Sequence, residues 1–207
     1  MIGASKILII FSAIAAGAFG ATAILSENVT QNVAGHRYAV PKDHLFNGGI
    51  FFLPQQSDAF TFLFEPNSDP DIIPKHRVLV QDLSLHCPTA LTTDGTQMLR
   101  IVCGQEDSSV REIPPFFELG NKNGSWSSDL YAGETAESSG DLSTKRKVAY
   151  CRTSDPTVVN PESQTLCTTF WAYDGMMLQF SFDAKESSEM PAMKRRAEEL
   201  LETWKIR

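Results

Sequence analysis

The 207 residues contain no Gly-x-Ser-x-Gly elbow, no His-Glu-x-x-His pair, no P-loop and no dinucleotide-binding fingerprint. Local motifs therefore supply no serine elbow, no zinc-protease pair and no phosphate cradle. A Ser/His/Asp triad is not legible in this way, because its members lie far apart in a chain. Histidine and cysteine are both scarce, with four of each. No two cysteines stand in Cys-x-x-Cys spacing, and His86 and Cys87, adjacent in an expected strand, would point to opposite faces. No metal and no cofactor are expected. Positive charge is also short. Lys and Arg number 18 against 25 Asp and Glu, a formal net charge of −7. Such a chain is poorly suited to nucleic acid or to an anionic membrane surface. No repeat of solenoid length occurs.

Long apolar runs are absent with one exception. Residues 7–25 (ILIIFSAIAAGAFGATAIL) carry no charge and no proline. As a helix these residues rise about 28 Å, close to the hydrocarbon thickness of a bilayer. Lys6 precedes the run, and no Lys or Arg follows until Arg37. That asymmetry keeps the amino-terminal side in the cytoplasm and exports the rest. The expectation is a retained signal-anchor over residues 1–25. The alternative is a cleaved signal peptide, since residues 16–18 and 21–23 offer small-x-small sites. Without those 25 residues the chain has 17 basic and 25 acidic residues, a net charge of −8. Its length suits one domain.

In an exported domain four cysteines read as two disulfides. Cys87 and Cys103 are sixteen positions apart, and so are Cys151 and Cys167. Sequential pairing closes two loops of equal length, each contributing about 3 kcal/mol in the chain-entropy model. Leu83, Leu85 and Cys87 are in phase on one expected strand, and Leu99, Ile101 and Cys103 on the next. With all four bridged, no thiol nucleophile remains.

Along the exported part, residues 26–34 (SENVTQNVA) read as a polar stalk and residues 35–207 as the domain. Residues 36–40 alternate and stop at Pro41, and residues 59–64 place Phe60, Phe62 and Phe64 on one face. Residues 78–87 read as one long strand. Residues 114–117 and 126–131 read as segments packed around a loop. Lys145, Arg146 and Lys147 read as solvated charge at the start of the next strand. The strongest signal lies near the carboxy terminus. Residues 167–173 and 176–182 alternate around Asp174-Gly175, which predicts a hairpin with Trp171 opposite Leu178 and Cys167 opposite Phe182. Ser187 and Ser188 then offer a cap for a helix over 189–205. Met190, Met193, Ala197, Leu200, Leu201 and Trp204 form its apolar stripe, with Lys194, Arg195, Glu198, Glu199 and Glu202 on the other side. The fold class is therefore α+β: a transmembrane helix, then an antiparallel sheet covered by a carboxy-terminal helix.

One further segment is unusual. Ile50, Phe51, Phe52 and Leu53 stand between a Gly-Gly turn and Pro54, rimmed by Asn47, Gln55 and Gln56. Buried, they form a short core strand. Exposed, they form an apolar patch of the kind that meets a partner. The plan of anchor, stalk and small acidic stapled domain is shared by many bacterial envelope proteins, among them immunity proteins and accessory subunits of membrane complexes. The expectation is a non-enzymatic periplasmic interaction protein, single-pass in the bacterial inner membrane. Its partner would be another envelope protein, and a basic one suits the charge. The alternative is an exported hydrolase with dispersed residues, for which Glu65 and Asp82 stand as example carboxylates.

Overall fold

The computed structural model describes residues 28–46, 55–56, 59–67, 76–87, 100, 102–104, 114–120, 127–133, 146–153 and 165–207. The expected anchor over 7–25 lies outside the described residues. Among the described residues no helix is long and apolar enough to cross a membrane.

The carboxy-terminal hairpin organises the sheet. Strands β9 (Thr165–Tyr173) and β10 (Met176–Asp183) pair in the expected register, Tyr173 with Met176, Trp171 with Leu178 and Cys167 with Phe182. Asp174 and Gly175 both have positive φ, 49° and 77°, as the tight hairpin turn requires. Around this pair the described strands form a seven-stranded sheet in the order β4-β5-β10-β9-β8-β7-β6. Its members are β4 (Ala59–Leu63), β5 (Arg77–Asp82), β6 (Phe116–Gly120), β7 (Ser127–Ala132) and β8 (Lys147–Thr153), besides β9 and β10. All six described pairings in it are antiparallel. Residues around Phe116 and Tyr131, expected to pack about a loop, are thus neighbouring strands. A register shift between Leu130 and Tyr131 lets two successive residues of β8, Val148 and Ala149, both be buried.

One face of this sheet is covered by two things. The first is α1 (Met190–Trp204). The second is a small sheet of β1 (Asn28–Val33), β2 (His36–Pro41) and β3 (Gln55–Gln56), ordered β2-β1-β3. The sequence reading of a stalk over 26–34 is corrected here. Val29, Gln31 and Val33 point inward from β1, and Ala34-Gly35 turns the chain into β2 with positive φ at both residues. The alternation that makes β1 a strand is masked in composition by the polar residues between its valines.

The core joins both layers. Val29, Val33, Tyr38 and Val40 pack with Phe60, Phe62, Phe64, Val78, Val80, Leu178, Phe180, Phe182, Leu201 and Trp204. Phe62 and Trp204 meet edge to face at 5.2 Å between ring centroids. Helix α1 starts differently from the expectation at Ser187-Ser188. Asp183 caps a 3-10 segment, Ala184–Glu189, in a capping box with Glu186, and this segment leads into α1 with Pro191 in the first turn.

The polar side of α1 is also corrected. Lys194 is buried, with its ammonium 5.3 Å from the centre of the Trp171 ring. Trp171 Nε1 donates to Glu198 Oε1 at 2.9 Å, and the Tyr173 hydroxyl donates to Glu202 Oε1 at 2.5 Å. Residues 194, 198 and 202 recur every four positions, so they form one edge of the helix. That edge lies on the two aromatics of β9.

Candidate functional site

All four cysteines are bridged, Cys87 to Cys103 and Cys151 to Cys167. Cys151 and Cys167 stand directly opposite on β8 and β9, both with no exposed surface. Cys87 and Cys103 are both half-buried, and neither is in a strand. The strand expected over 78–87 stops at Asp82. Its carboxylate accepts the Ser84 N–H at 2.8 Å and starts a 3-10 turn, Leu83–Leu85. Arg100 and Val102, before Cys103, have helical backbone.

The stapled turn lies at one end of the sheet, together with two other turns and the last residues of the chain. The Leu83 N–H donates to the Gly175 carbonyl at 3.1 Å, which ties the stapled turn to the β9–β10 turn. A Cβ built on Gly175 would lie 3.9 Å from the Ala34 Cβ, in the β1–β2 turn. Lys205 donates to Asp174 Oδ2, and His36 Nε2 lies 3.4 Å from the same oxygen. The Ile206 N–H donates to the Arg37 carbonyl at 2.8 Å.

This end presents apolar side chains on fixed backbone. Of the three large hydrophobic residues exposed among the described ones, Leu85 at 51% and Ile206 at 38% lie at this end, and Leu166 at 54% lies at the far end of β9. Leu85 follows Leu83, which is bonded to Gly175, and Ile206 follows Lys205, which is bonded to Asp174. The charges between them hold one another. The hydrogen bond from Lys205, with the charges of His36 and Lys205, keeps the Asp174 carboxyl below its usual range, against some opposition from burial. Hydrogen bonds from Ser84 do the same for Asp82. Burial, then the hydrogen bond to Glu202, pushes the Tyr173 phenol upward. This end thus carries exposed apolar side chains beside the Asp174 and Asp82 carboxylates.

The other sequence candidates are dispersed. Ile50, Phe51, Phe52 and Leu53 lie outside the described residues. Glu65 follows β4 and Asp82 ends β5, where Leu63 pairs with Arg77 and Ala59 with Gln81. The two carboxylates thus sit at opposite ends of a strand pair, roughly 17 Å or more apart by strand rise, beyond the spacing of a glycosidase pair. His44 Nδ1 is engaged at 2.8 Å by the Leu63 carbonyl, and His76 Nε2 lies 3.5 Å from Glu186 Oε2. Among the described residues no group of three or more His, Cys, Asp or Glu could hold a metal ion. Leu85 was missed as a surface residue because its phase with Cys87 assigned it to the inner face of a longer strand. The Asp-x-Ser step at 82–84 is the local signal that ends that strand.

No family model matches this chain, and no curated protein matches it. Solved structures with a similar chain trace include an immunity protein of the Stenotrophomonas maltophilia type IV secretion system. It is 10% identical, with a TM-score of 0.46, over 88% of this chain and 94% of that one. The Neisseria meningitidis iron-regulated outer membrane lipoprotein FrpD is 12% identical, with a TM-score of 0.47, over 86% of this chain and 92% of that one. At these identities and scores the likeness adds nothing to the functional argument.

Proposed function

We propose that this chain is a bacterial envelope protein that acts by protein contact, without catalysis, in the periplasm. Residues 7–25 would hold it in the inner membrane as a signal-anchor, with Lys6 on the cytoplasmic side. Two disulfides support an oxidising compartment. The observation that carries the contact reading is the stapled turn. Asp82, the Gly175 carbonyl and the Cys87–Cys103 bridge hold Leu85 on ordered backbone with half its surface in water. A contact built in advance loses little freedom on binding, which is where much affinity is otherwise spent. Ile206 follows Lys205, which is bonded to Asp174 of the neighbouring turn, and Ile50, Phe51, Phe52 and Leu53 are proposed as a second part of the surface.

The test is quantitative co-purification of the full chain from detergent-solubilised membranes, read by mass spectrometry. Leu85→Asp should reduce the recovery of a specific envelope protein by about tenfold or more, the equivalent of 1.4 kcal/mol, with an unchanged melting temperature. Phe51→Asp should reduce recovery of the same protein. Undiminished recovery with Leu85→Asp removes the turn from the contact. An intact mass showing a chain that starts near Ile24 removes the anchor.

A further inference from the structure

A sheet edge carries backbone N–H and C=O groups able to pair with another chain. Two edges of this protein are met by its own segments. Outside β4, Leu45 bridges Phe62 and the Phe46 N–H donates to the Thr61 carbonyl at 3.1 Å. Outside β2, Lys205 bridges Tyr38 and the Ile206 N–H donates to the Arg37 carbonyl at 2.8 Å. Strand β6 differs. It pairs with β7 along all five of its residues and, among the described residues, with no other strand. It is also firmly held. Phe117 is buried and stacks on Tyr131 with centroids 5.6 Å apart, and Phe116 packs against the core. Natural edges are commonly blunted by Lys or Pro within the strand. Here the prolines, Pro114 and Pro115, precede it, and the strand itself (FFELG) has neither. Its one charge is Glu118, exposed and accepting a hydrogen bond from the Ser128 hydroxyl.

We infer that β6 is a second contact surface, which receives an extended strand of a partner protein carrying Lys or Arg beside Glu118 and apolar residues two positions to either side. The backbone supplies pairing, Glu118 with the net charge of −7 selects a basic partner, and Phe116, two positions from Glu118 and so on the same face, lies beside one of the apolar positions. A second copy of this chain fits poorly. Two-fold pairing centred on Glu118 would set two carboxylates opposite each other. The surface is distinct from the stapled turn, since β6 lies four strands from β10.

The probe is a fluorescein-labelled seven-residue peptide with Lys at its centre, Val two positions to each side and Thr elsewhere. A second peptide has Glu at the centre. Both are titrated against the full chain in detergent by anisotropy, with amide hydrogen exchange in parallel. Saturable binding is expected, with slowed exchange confined to 116–120 and about tenfold preference for the Lys peptide. Glu118→Lys should reverse the preference. Glu118→Gln, which keeps a hydrogen-bond acceptor for Ser128, should bind both peptides alike. Leu85→Asp should leave peptide binding unchanged, which separates this surface from the turn. Absence of saturable binding, protection elsewhere than 116–120, a preference indifferent to Glu118, or competing self-association through β6 would each overturn the inference.

Discussion

The two disulfides close loops of the same length, with a sequence separation of 16 in each, yet they sit in different physical settings. Cys151 and Cys167 join neighbouring strands in the middle of the sheet, with no exposed surface on either residue. Cys87 and Cys103 lie past the end of β5, half-buried, and fix a turn whose Leu85 faces water. Loop entropy treats the two alike, at about 3 kcal/mol each. What surrounds the sulfurs does not. The first bridge is part of the core, and the second shapes a surface.

The sharpest way to break that contrast is to remove each bridge in turn. Cys151→Ala with Cys167→Ala should cost about 4–5 kcal/mol in urea unfolding, because a core gap adds to the lost loop constraint. Trp204→Ala tests whether the core beneath that bridge is one body with α1. Buried against Phe62 and His44, Trp204 should cost about 3–4 kcal/mol on truncation. An unchanged melting temperature would mean that α1 docks on a partner instead. Cys87→Ser with Cys103→Ser should cost only about 2–3 kcal/mol, while weakening partner recovery as Leu85→Asp does. Equal costs for the two double variants would mean that burial of the sulfurs makes no difference to stability. A gentler version uses the intact chain: partial reduction under native conditions, followed by alkylation, should label Cys87 and Cys103 first, since exchange requires access to sulfur.

The smallest expected effect lies where β2 meets the large sheet. The buried Tyr38 hydroxyl donates to Met176 Sδ at 3.5 Å. Burial, then the charges of Asp174 and Glu202, raises its pKa above the usual value of 10.0. Tyr173 shifts in the same direction. A phenol with a raised folded pKa binds its proton more tightly when folded. Its contribution is complete below pH 10 and is lost as pH rises through the folded value. Tyr38→Phe should therefore change stability by less than about 1 kcal/mol at pH 7 and move alkaline unfolding to higher pH. A melting curve in alkaline buffer that is identical for both proteins would remove Tyr38 from that transition.

The parts of the fold legible in the chain are those where neighbours in sequence are neighbours in space. Asp174-Gly175 between two alternating runs specified both the turn and the register of β9 with β10. The apolar spacing of α1 specified its buried stripe, except that Met193 is only half-buried. Equal cysteine spacing led to the observed connectivity, although Cys87 and Cys103 are not on the strands that had been expected to carry them. The misses share a cause. Val29 and Val33 looked like incidental apolar residues in a polar stretch, and their inward face has meaning only once Tyr38 and Met176 lie behind it. Lys194, Glu198 and Glu202 are typical solvent-facing residues, and only the position of Trp171 and Tyr173 makes them a seam.

Composition, charge and local alternation thus settled the antiparallel sheet, its covering helix and the hairpin at its centre, because turn chemistry and side-chain period act over a few residues. Which residues stay in water was decided elsewhere. Leu85 lies outside because Asp82 ends β5 in a 3-10 turn, which the Gly175 carbonyl ties to the β9–β10 turn and the Cys87–Cys103 bridge closes. Strand β6 is an edge among the described residues because it pairs with β7 alone, while residues distant in sequence meet β4 and β2. Both outcomes depend on contacts between segments far apart in the chain, where no local period carries information, and both determine the surfaces proposed for partner binding.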